Sequence, residues 1–187
     1  MRLFNLATCL FLFCLVTACG SKMPFTPSVV VAQDGSGDCS TLQAAINMAP
    51  NNGTERFIIY IKNGTYDTEK LIIPTEKKNL VLVGEDREKT VISYHIYDCD
   101  SPDSENKCPA ESWALWKDQR ELIRTSATLT IMADDCLFEN LTISNTAGPV
   151  GQALAVTVRG DRIVFRDCNL LSYQDTVYLP RGGKRYY

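Results

Sequence analysis

The chain has 187 residues, enough for one domain at most, and 45% of them are hydrophobic. Its formal net charge is −3, and removing residues 1–18, which carry Arg2 and no acid, makes it −4. An acidic chain of this kind is not expected to bind nucleic acid, because neutralising phosphates requires a basic surface. A single histidine and the lack of any Cys-x-x-Cys pair argue against a zinc site, and we expect no metal and no cofactor.

The segment 1–18 is typical of an export signal. Arg2 is followed by an apolar run, Leu3–Val16, that is too short to cross a membrane as a mature helix. The run ends in Val-Thr-Ala-Cys19, which resembles a bacterial lipobox in which Cys19 is lipidated and becomes the mature N-terminus. Residues 19–28 would then tether an exported lipoprotein, periplasmic or at the cell surface, to a membrane. The alternative is an ordinary signal peptide, or an uncleaved anchor, with Cys19 incidental.

The next part of the chain predicts one strand and one amphipathic helix. The strand covers Val29–Ala32 and ends in the turn sequence Asp-Gly-Ser-Gly-Asp. The helix covers Ser40–Ala49, with Ser40 and Gln43 in a capping-box pattern and Pro50 as the stop. Its apolar residues recur at helical spacing and so lie on one face. A single amphipathic helix ahead of many strands is expected to cover the open end of a stack.

The remaining chain alternates short apolar runs with turn residues, which predicts strands. The predicted strands are Phe57–Ile61, Leu71–Ile73, Leu80–Val83, Thr90–Ser93, Leu129–Met132, Leu137–Ile143, Ala153–Val158, Ile163–Leu171 and Val177–Leu179. The segment Phe138–Ile143 loosely matches Phe165–Leu170 at an offset of 27 residues, as an internal repeat. Repeating strand units of this length indicate a β-solenoid. A β-sandwich is the rival, but the hairpin turns it needs about every 8–12 residues are scarce.

Residues 97–120 interrupt the strand pattern with a long polar segment. We expect this segment to project from the solenoid and to form one wall of a ligand-binding cleft. Trp113 and Trp116 within it are candidates either for stacking on a flat ring of a ligand or for local packing. Cys99 and Cys108 flank its acidic part and are candidates for a disulfide, since an exported location permits one.

The most specific motifs lie between residues 151 and 178. The sequence Gly-Gln-Ala-Leu-Ala-Val contains Gln152, and Ser-Tyr-Gln-Asp-Thr-Val-Tyr contains Gln174 and Asp175. In order and spacing they resemble the Gln-Ala-Val-Ala-Leu and Gln-Asp-Thr-Leu-Tyr motifs of the pectin methylesterase (pectinesterase) family. The resemblance implies an all-β fold, a right-handed parallel β-helix. It also implies hydrolysis of homogalacturonan methyl esters to pectate and methanol without a cofactor.

The resemblance assigns a role to each of these residues. Gln152 and Gln174 would stabilise the negative charge that develops on the carbonyl oxygen, as amide donors do in an oxyanion hole. Asp175 would be the general acid that protonates departing methanol, then the base that activates water on the acyl-enzyme. Tyr173, like Trp113 and Trp116, is then a candidate either for stacking on a sugar ring or for local packing, and residues 97–120 would form one wall of a polysaccharide cleft. If a coil has about 22 to 27 residues, the two glutamines fall at matching positions on adjacent coils, roughly 4.8 Å apart.

Each candidate also has a structural alternative. The two glutamines can satisfy one another in a ladder along the solenoid, and Asp175 can be a turn residue that bonds the backbone of Thr176 or Val177. Consecutive side chains of a regular strand face opposite ways. Gln174 and Asp175 therefore reach one site only if the strand bends or ends at Tyr173–Asp175.

The downstream motifs of the family do not occur in this sequence. Both Asp-Phe-Ile-Phe-Gly, which carries the nucleophilic aspartate in the family, and Leu-Gly-Arg-Pro-Trp are absent. We therefore interpret residues 29–187 as an incomplete esterase domain, truncated at its C-terminal end, inactive as this fragment and monomeric when full length. A shifted Gly-x-Tyr-x-Glu motif at Gly64–Glu69 is interpreted as structural.

Two other functions compete with the aspartate esterase. A non-catalytic, lipid-anchored β-helix that binds glycan or plays an envelope role would keep the same motifs without turnover. A serine esterase would need His95, the single histidine, in a Ser-His-Asp triad, but the sequence contains no Gly-x-Ser-x-Gly elbow. The expected partners are methyl-esterified homogalacturonan and, through the lipid anchor alone, a membrane.

Overall fold

The short apolar runs of the sequence fold into strands that are wound into a coil. The computed structural model describes residues 25–97, 126–149 and 151–180. Within these ranges it contains thirteen strands and one α-helix. In chain order they are β1 (Val29–Val31), α1 (Leu42–Met48), β2 (Phe57–Ile61), β3 (Gly64–Tyr66), β4 (Leu71–Ile73), β5 (Leu80–Gly84), β6 (Thr90–Tyr94), β7 (Leu129–Ile131), β8 (Leu137–Glu139), β9 (Thr142–Asn145), β10 (Val156–Val158), β11 (Val164–Arg166), β12 (Asn169–Leu171) and β13 (Val177–Tyr178).

These strands form three sheets whose strand pairings are all parallel. Sheet A has the order β1-β2-β5-β8-β11, sheet B the order β12-β9-β6-β3, and sheet C the order β13-β10-β7-β4. From β2 onwards the chain visits sheets A, B and C in turn, so each coil adds one strand to each sheet. The winding is right-handed, as parallel crossovers almost always are. The predicted right-handed parallel β-helix is confirmed.

The internal repeat of the sequence corresponds to the register of the sheets. Phe138 pairs with Phe165, and Ile143 with Leu170, at the same offset that relates the two segments in the sequence. The two phenylalanine rings stack with their centroids 5.0 Å apart. Phe138 and Phe165 continue a row of paired residues in sheet A that face the core. The earlier members of this row are Val29, Ile59 and Leu82. Such rows stabilise a solenoid because every coil removes the apolar surface of the next from water.

Two long predicted strands are wrong in their extent. Leu137–Ile143 is divided into β8 and β9, and Ile163–Leu171 into β11 and β12. At each break one residue has a left-handed backbone, Asn140 with φ 55° and Asp167 with φ 51°, and the chain turns there from sheet A into sheet B. Asn and Asp tolerate this conformation better than most non-glycine residues. Because the apolar pattern continues across the turn, periodicity alone did not reveal the break.

Three further boundaries differ from the prediction. Strand β3 is absent from the prediction because its Gly-Thr-Tyr sequence has only one apolar residue. Predicted strand Ala153–Val158 begins only at Val156, and predicted strand Val177–Leu179 ends at Tyr178. The other predicted strands agree with the structure to within one residue at either end.

Helix α1 confirms the predicted helix but not its predicted cap. The N-cap is Thr41, whose side chain makes no capping bond, so the assignment of Ser40 is wrong. Instead, Oε1 of Glu69 accepts hydrogen bonds from the backbone N–H groups of Leu42 and Gln43, at 2.9 and 3.1 Å. A carboxylate here satisfies N–H groups that lack a partner within the helix, and it suits the helix dipole. The segment around Glu69 is therefore structural, as predicted.

The helix covers the first coil of the solenoid. Leu42, Ala45 and Ile46 are buried, and α1 packs against β1 and β4. The Gln43 carboxamide bonds the edge of β4 in both directions, donating to the Ile72 carbonyl and accepting from the Ile72 N–H, each at 3.0 Å. The Gln43 side chain thus makes the two hydrogen bonds with Ile72 that the backbone of a neighbouring strand would otherwise make. The predicted role of the helix as a cover for the stack is confirmed.

Several predicted residues lie outside the described ranges. They are Cys19, Cys99, Cys108, Trp113 and Trp116. Among the described cysteines, Cys39, Cys136 and Cys168 are free thiols. No helix in the described ranges has the length and apolar character needed to cross a membrane.

Candidate active site

The candidate site lies where the chain passes from sheet B to sheet C, which we call the B–C corner. Four connections make this passage: residues 67–70, 95–128, 146–155 and 172–176. Gln152 belongs to the third connection, whereas Gln174 and Asp175 belong to the fourth. The expectation that the two glutamines lie on adjacent coils is therefore confirmed.

Backbone hydrogen bonds join these two connections. The N–H of Ala153 donates to the carbonyl oxygen of Gln174 at 3.4 Å, in an isolated antiparallel bridge. Further along, the N–H of Val156 donates to the carbonyl oxygen of Thr176 at 3.1 Å. Val156 pairs with Val177, 21 residues later, whereas Gln174 follows Gln152 by 22 residues. Gln174 therefore lies opposite Ala153 and not opposite Gln152. The expectation of matching positions for the two glutamines is wrong by a single position.

The predicted bend at Tyr173–Asp175 is confirmed. Strand β12 ends at Leu171 and β13 begins at Val177. Between them, Asp175 has φ 54°, in the left-handed region that aspartate tolerates. The alternation of a regular strand does not apply across such a turn, so Gln174 and Asp175 are not forced onto opposite faces.

Two hydroxyl groups that the sequence interpretation missed hold this bend. Ser172 Oγ donates to the carbonyl oxygen of Gln174 at 3.2 Å and lies 3.2 Å from Thr176 Oγ1. Short hydroxyl side chains commonly bond the backbone within two residues, which fixes turns. The signal that could have identified them is their position two residues before and two residues after Gln174. Together they fix the backbone of Gln174 and leave its amide group free.

The polar ends of the candidate residues are available to a ligand. Gln174 and Asp175 are exposed, and Gln152 is half-buried. Across the residues that the structure describes, none of these three side chains bonds another residue. Neither structural alternative, the glutamine ladder or the bond from Asp175 to the following backbone, is present. The residues that follow Gln152 in the chain, Ala153–Val158, are buried.

One of the three aromatic candidates lies at the same corner. Tyr173 is 69% exposed, so its ring can stack on a sugar ring. Trp113 and Trp116 belong to the residues outside the described ranges. A cavity of about 560 Å³ lies elsewhere, between sheets A and B, and carboxylates from Glu85 to Asp167 line it. That lining disfavours anionic ligands, and the cavity is not part of the candidate site.

Comparisons with known proteins identify the family. The family model described as Pectinesterase matches residues 28–106 and 111–187. Pectinesterase 4 of Arabidopsis thaliana is 39% identical over 158 residues, which cover 84% of this chain and 24% of that protein. The solved structure of a pectin methylesterase from carrot is 32% identical with a TM-score of 0.68, covering 84% of this chain and 43% of the carrot chain.

A second solved structure, a pectin methylesterase in complex with hexasaccharide VII, is 32% identical with a TM-score of 0.65. The match covers 83% of this chain and 46% of that one. The chain thus spans about a quarter of the curated relative and less than half of either solved structure. The family model, the curated relative and the solved structures all match most of this chain. The chain belongs to the pectinesterase family.

Proposed function

We propose that this chain contributes to a pectin methylesterase that hydrolyses homogalacturonan methyl esters to pectate and methanol by aspartate-based covalent catalysis. The observation that carries the proposal is the B–C corner. There Gln152 and the pair Gln174–Asp175 lie on adjacent coils, with polar ends that bond no other described residue. Two amide donors and one carboxylate are groups that ester hydrolysis uses besides a nucleophile. Membership of the pectinesterase family supports the substrate class.

Gln152 and Gln174 act on the carbonyl oxygen of the ester. Attack on the ester carbon turns this oxygen into an oxyanion, and the N–H groups of the two carboxamides donate to it. Neutral donors suit this role because they stabilise the transition state without forming a tight ion pair with the acidic product. The backbone bond between Ala153 and Gln174 keeps the two donors on neighbouring coils.

Asp175 handles the protons of both chemical steps. Its carboxylic acid protonates the methoxy oxygen as the C–O bond breaks, which releases methanol and leaves an acyl-enzyme. The resulting carboxylate then takes a proton from water, which attacks the acyl carbon and frees the pectate carboxylate. Exposure of Asp175 on a turn allows both methanol and water to reach it.

None of Gln152, Gln174 and Asp175 is the carboxylate that attacks the ester carbon. The family motif that carries it, Asp-Phe-Ile-Phe-Gly, does not occur in the 187 residues. We assign the nucleophile to a segment that this sequence does not contain. Residues 1–187 by themselves are then expected to release no methanol from methylated pectin.

Substrate binding is assigned to aromatic residues near this corner. Tyr173 is exposed beside Gln174, and stacking on a galacturonate ring would hold the polymer along the coil. We assign Trp113 and Trp116 to one wall of the same polysaccharide cleft. A related pectin methylesterase has been solved with a hexasaccharide, which supports a binding site several sugars long.

We also propose that the mature protein is a lipoprotein exported by a bacterium and anchored at a membrane surface through Cys19. The support is the apolar run that ends in Val-Thr-Ala-Cys19. Mass spectrometry of the mature N-terminus should show acyl groups on Cys19. A free α-amine on any other residue would exclude lipidation.

The decisive experiment uses the protein from the complete gene and highly methylated homogalacturonan. Methanol should appear, and hydroxylamine should trap the acyl-enzyme; with hydrolysis of the acyl-enzyme as the slower step, rapid mixing should also show an initial burst of methanol. Homogalacturonan binding without methanol release would instead identify the non-catalytic glycan-binding protein. Methanol release with no burst and no acyl-enzyme trapped by hydroxylamine would argue against the covalent route.

A further inference from the structure

Asn145 is a buried polar residue at the B–C corner that the proposed chemistry does not use. It is the last residue of β9 and is 4% exposed. Its Nδ2 donates to the carbonyl oxygens of Ile96 at 2.8 Å, Ser126 at 2.7 Å and Leu154 at 3.1 Å. Its Oδ1 accepts a hydrogen bond from the backbone N–H of Ala147 at 3.0 Å.

These four contacts use both N–H hydrogens of the side chain and one of the two acceptor positions of its oxygen. A carboxamide has two N–H hydrogens, so three carbonyl groups share them, and the oxygen serves the fourth partner. The three carbonyl groups belong to chain segments that are distant in sequence, since Ile96 follows β6, Ser126 precedes β7 and Leu154 precedes β10. Asn145 therefore joins two consecutive coils at a single buried point. Without its side chain, carbonyl groups in the interior would lose a donor.

The contacts of Asn145 fix both ends of the connection that carries Gln152. Ala147 lies near the start of residues 146–155, and Leu154 lies two residues after Gln152. The hydrogen bond from Ala153 to Gln174 continues this network to the second glutamine. Gln152 is held between the two anchored points while its own carboxamide bonds no other described residue.

We propose that Asn145 is a positioning residue of the esterase, which sets the location of the Gln152 carboxamide relative to the oxyanion. This inference rests on the proposed function. Asn145 is too deeply buried to contact a substrate, so it acts through the backbone of residues 146–155. An oxyanion donor must be held to a fraction of an ångström to stabilise charge in the transition state. A side chain that binds both ends of the donor's segment meets this requirement.

The test is a double-mutant cycle in the enzyme from the complete gene, with methanol release as the readout. Asn145→Ala should lower kcat about 10- to 100-fold with little change in KM, since only the transition state loses a donor. Asn145→Ser should lose less, because its hydroxyl can still bond Ala147 or one carbonyl. In a Gln152→Ala background, Asn145→Ser should cause almost no further loss of kcat, because the group that it positions is gone.

Thr142→Val is the matched control on the same strand. Thr142 Oγ1 donates to the carbonyl oxygen of Arg87 at 2.7 Å, at the end of β9 away from Gln152, and valine has the same shape. This variant should lose stability but keep the kcat of the wild-type enzyme per folded molecule. If Asn145→Ala does not fold, Asn145→Ser carries the test alone.

Two results would overturn the positioning role. One is full additivity of Asn145→Ser with Gln152→Ala, and the other is a kcat for Asn145→Ser equal to that of Thr142→Val. A wild-type enzyme that releases no methanol would instead refute the proposed function itself. Failure of the inference and failure of the function are therefore distinguishable.

Discussion

The connections from sheet C to sheet A are almost constant in length, whereas those from sheet B to sheet C are not. The first kind, which we call the C–A corner, consists of residues 74–79, 132–136 and 159–163. Each contains one left-handed residue at the same level of the coil: Asn79, Asp135 and Arg162 respectively. The B–C corner ranges from the short turn 67–70 to the long connection 95–128. One corner of the coil is repeated, and the other varies from coil to coil.

The two corners also use polar side chains differently. At the C–A corner, Arg162 bonds both oxygens of Asp135 in the previous coil, at 2.5 and 2.7 Å, and Asp161 at 2.7 Å. The backbone N–H of Asp161 in turn donates to Asp134 Oδ1 at 2.8 Å. At the B–C corner, the side chains of Gln152, Gln174 and Asp175 bond no other described residue. The charged side chains of Asp135 and Arg162 thus bond each other across two coils, whereas these three side chains of the B–C corner remain available for a ligand.

The largest expected effect tests the B–C corner directly. In the enzyme from the complete gene, Asp175→Asn should reduce methanol release by about 10³–10⁴-fold, because the acid of the first step and the base of the second step are lost together. Asparagine tolerates the left-handed backbone, so the fold should be unchanged. Asp167→Asn is the matched control, since Asp167 is also exposed and left-handed, on the same coil. Near-normal turnover in Asp175→Asn would mean that another residue is the acid.

The next effect concerns the two amide donors. Gln152→Ala and Gln174→Ala should each lower kcat about 10²–10³-fold, the usual cost of one oxyanion donor, with the melting temperature almost unchanged. Gln33→Ala, at an exposed glutamine in the first coil, should leave kcat unaffected. If the losses appear in KM rather than kcat, the glutamines bind substrate and do not stabilise the oxyanion.

A smaller effect is expected where the B–C corner serves structure. Glu69 lies in the connection 67–70 and caps helix α1, so Glu69→Ala should reduce the free energy of unfolding by about 1 kcal/mol. Turnover per folded molecule should stay the same. Glu55→Ala removes an exposed carboxylate that caps no helix and should change neither quantity. A drop in turnover for Glu69→Ala at full folding would show that the first connection also takes part in catalysis.

The smallest effect belongs to the C–A corner and depends on pH. The hydrogen bond from Arg162 is the main cause that holds the pKa of Asp135 below its ordinary value of 3.8. A carboxyl group with a lowered pKa in the folded state stabilises the fold above the unfolded pKa and loses this contribution as pH falls through the folded value. Arg162→Leu should therefore lower the free energy of unfolding slightly at neutral pH, and this loss should shrink as the pH falls below 3.8.

Urea unfolding at several pH values measures this dependence. Arg87→Leu is the control, because Arg87 pairs with Glu88, its neighbour in sequence, and both are exposed. Arg87→Leu should reduce the free energy of unfolding less than Arg162→Leu at every pH, because the Arg87–Glu88 pair does not join two coils. A pH-independent cost for Arg162→Leu would mean that the aliphatic part of the side chain, not its charge, stabilises the corner.

Local sequence was sufficient for most strands and for the repeat. Runs such as Phe57–Ile61 can be recognised as strands from their apolar residues alone. The repeat that relates Phe138 to Phe165 is visible in the sequence because both positions face the same core. The motifs around Gln152 and Gln174 were recognised for a different reason. Their residue order is a property of the family, so the site could be proposed without knowledge of the fold.

Contacts between distant residues account for what the sequence did not predict. Glu69 caps a helix that lies well before it in the chain, so the local Ser40 pattern suggested the wrong cap. The last coil, from Val156 to Val177, is shorter than the coil that relates Phe138 to Phe165, which shifts Gln174 to face Ala153. Nothing near Asn145 in sequence indicates that its amide reaches the carbonyl group of Ile96, on the preceding coil.

The sequence by itself therefore determined most of the strands, the repeat and which residues are candidates for the site, because apolar periodicity and motif order are local properties. The tertiary structure alone decided the register of the last coils, the cap of the helix and the hydrogen bonds from Asn145 to the connection that carries Gln152. These features depend on which backbone groups meet when coils stack. Buried donors and acceptors must then find partners across the coil, whatever their separation along the chain.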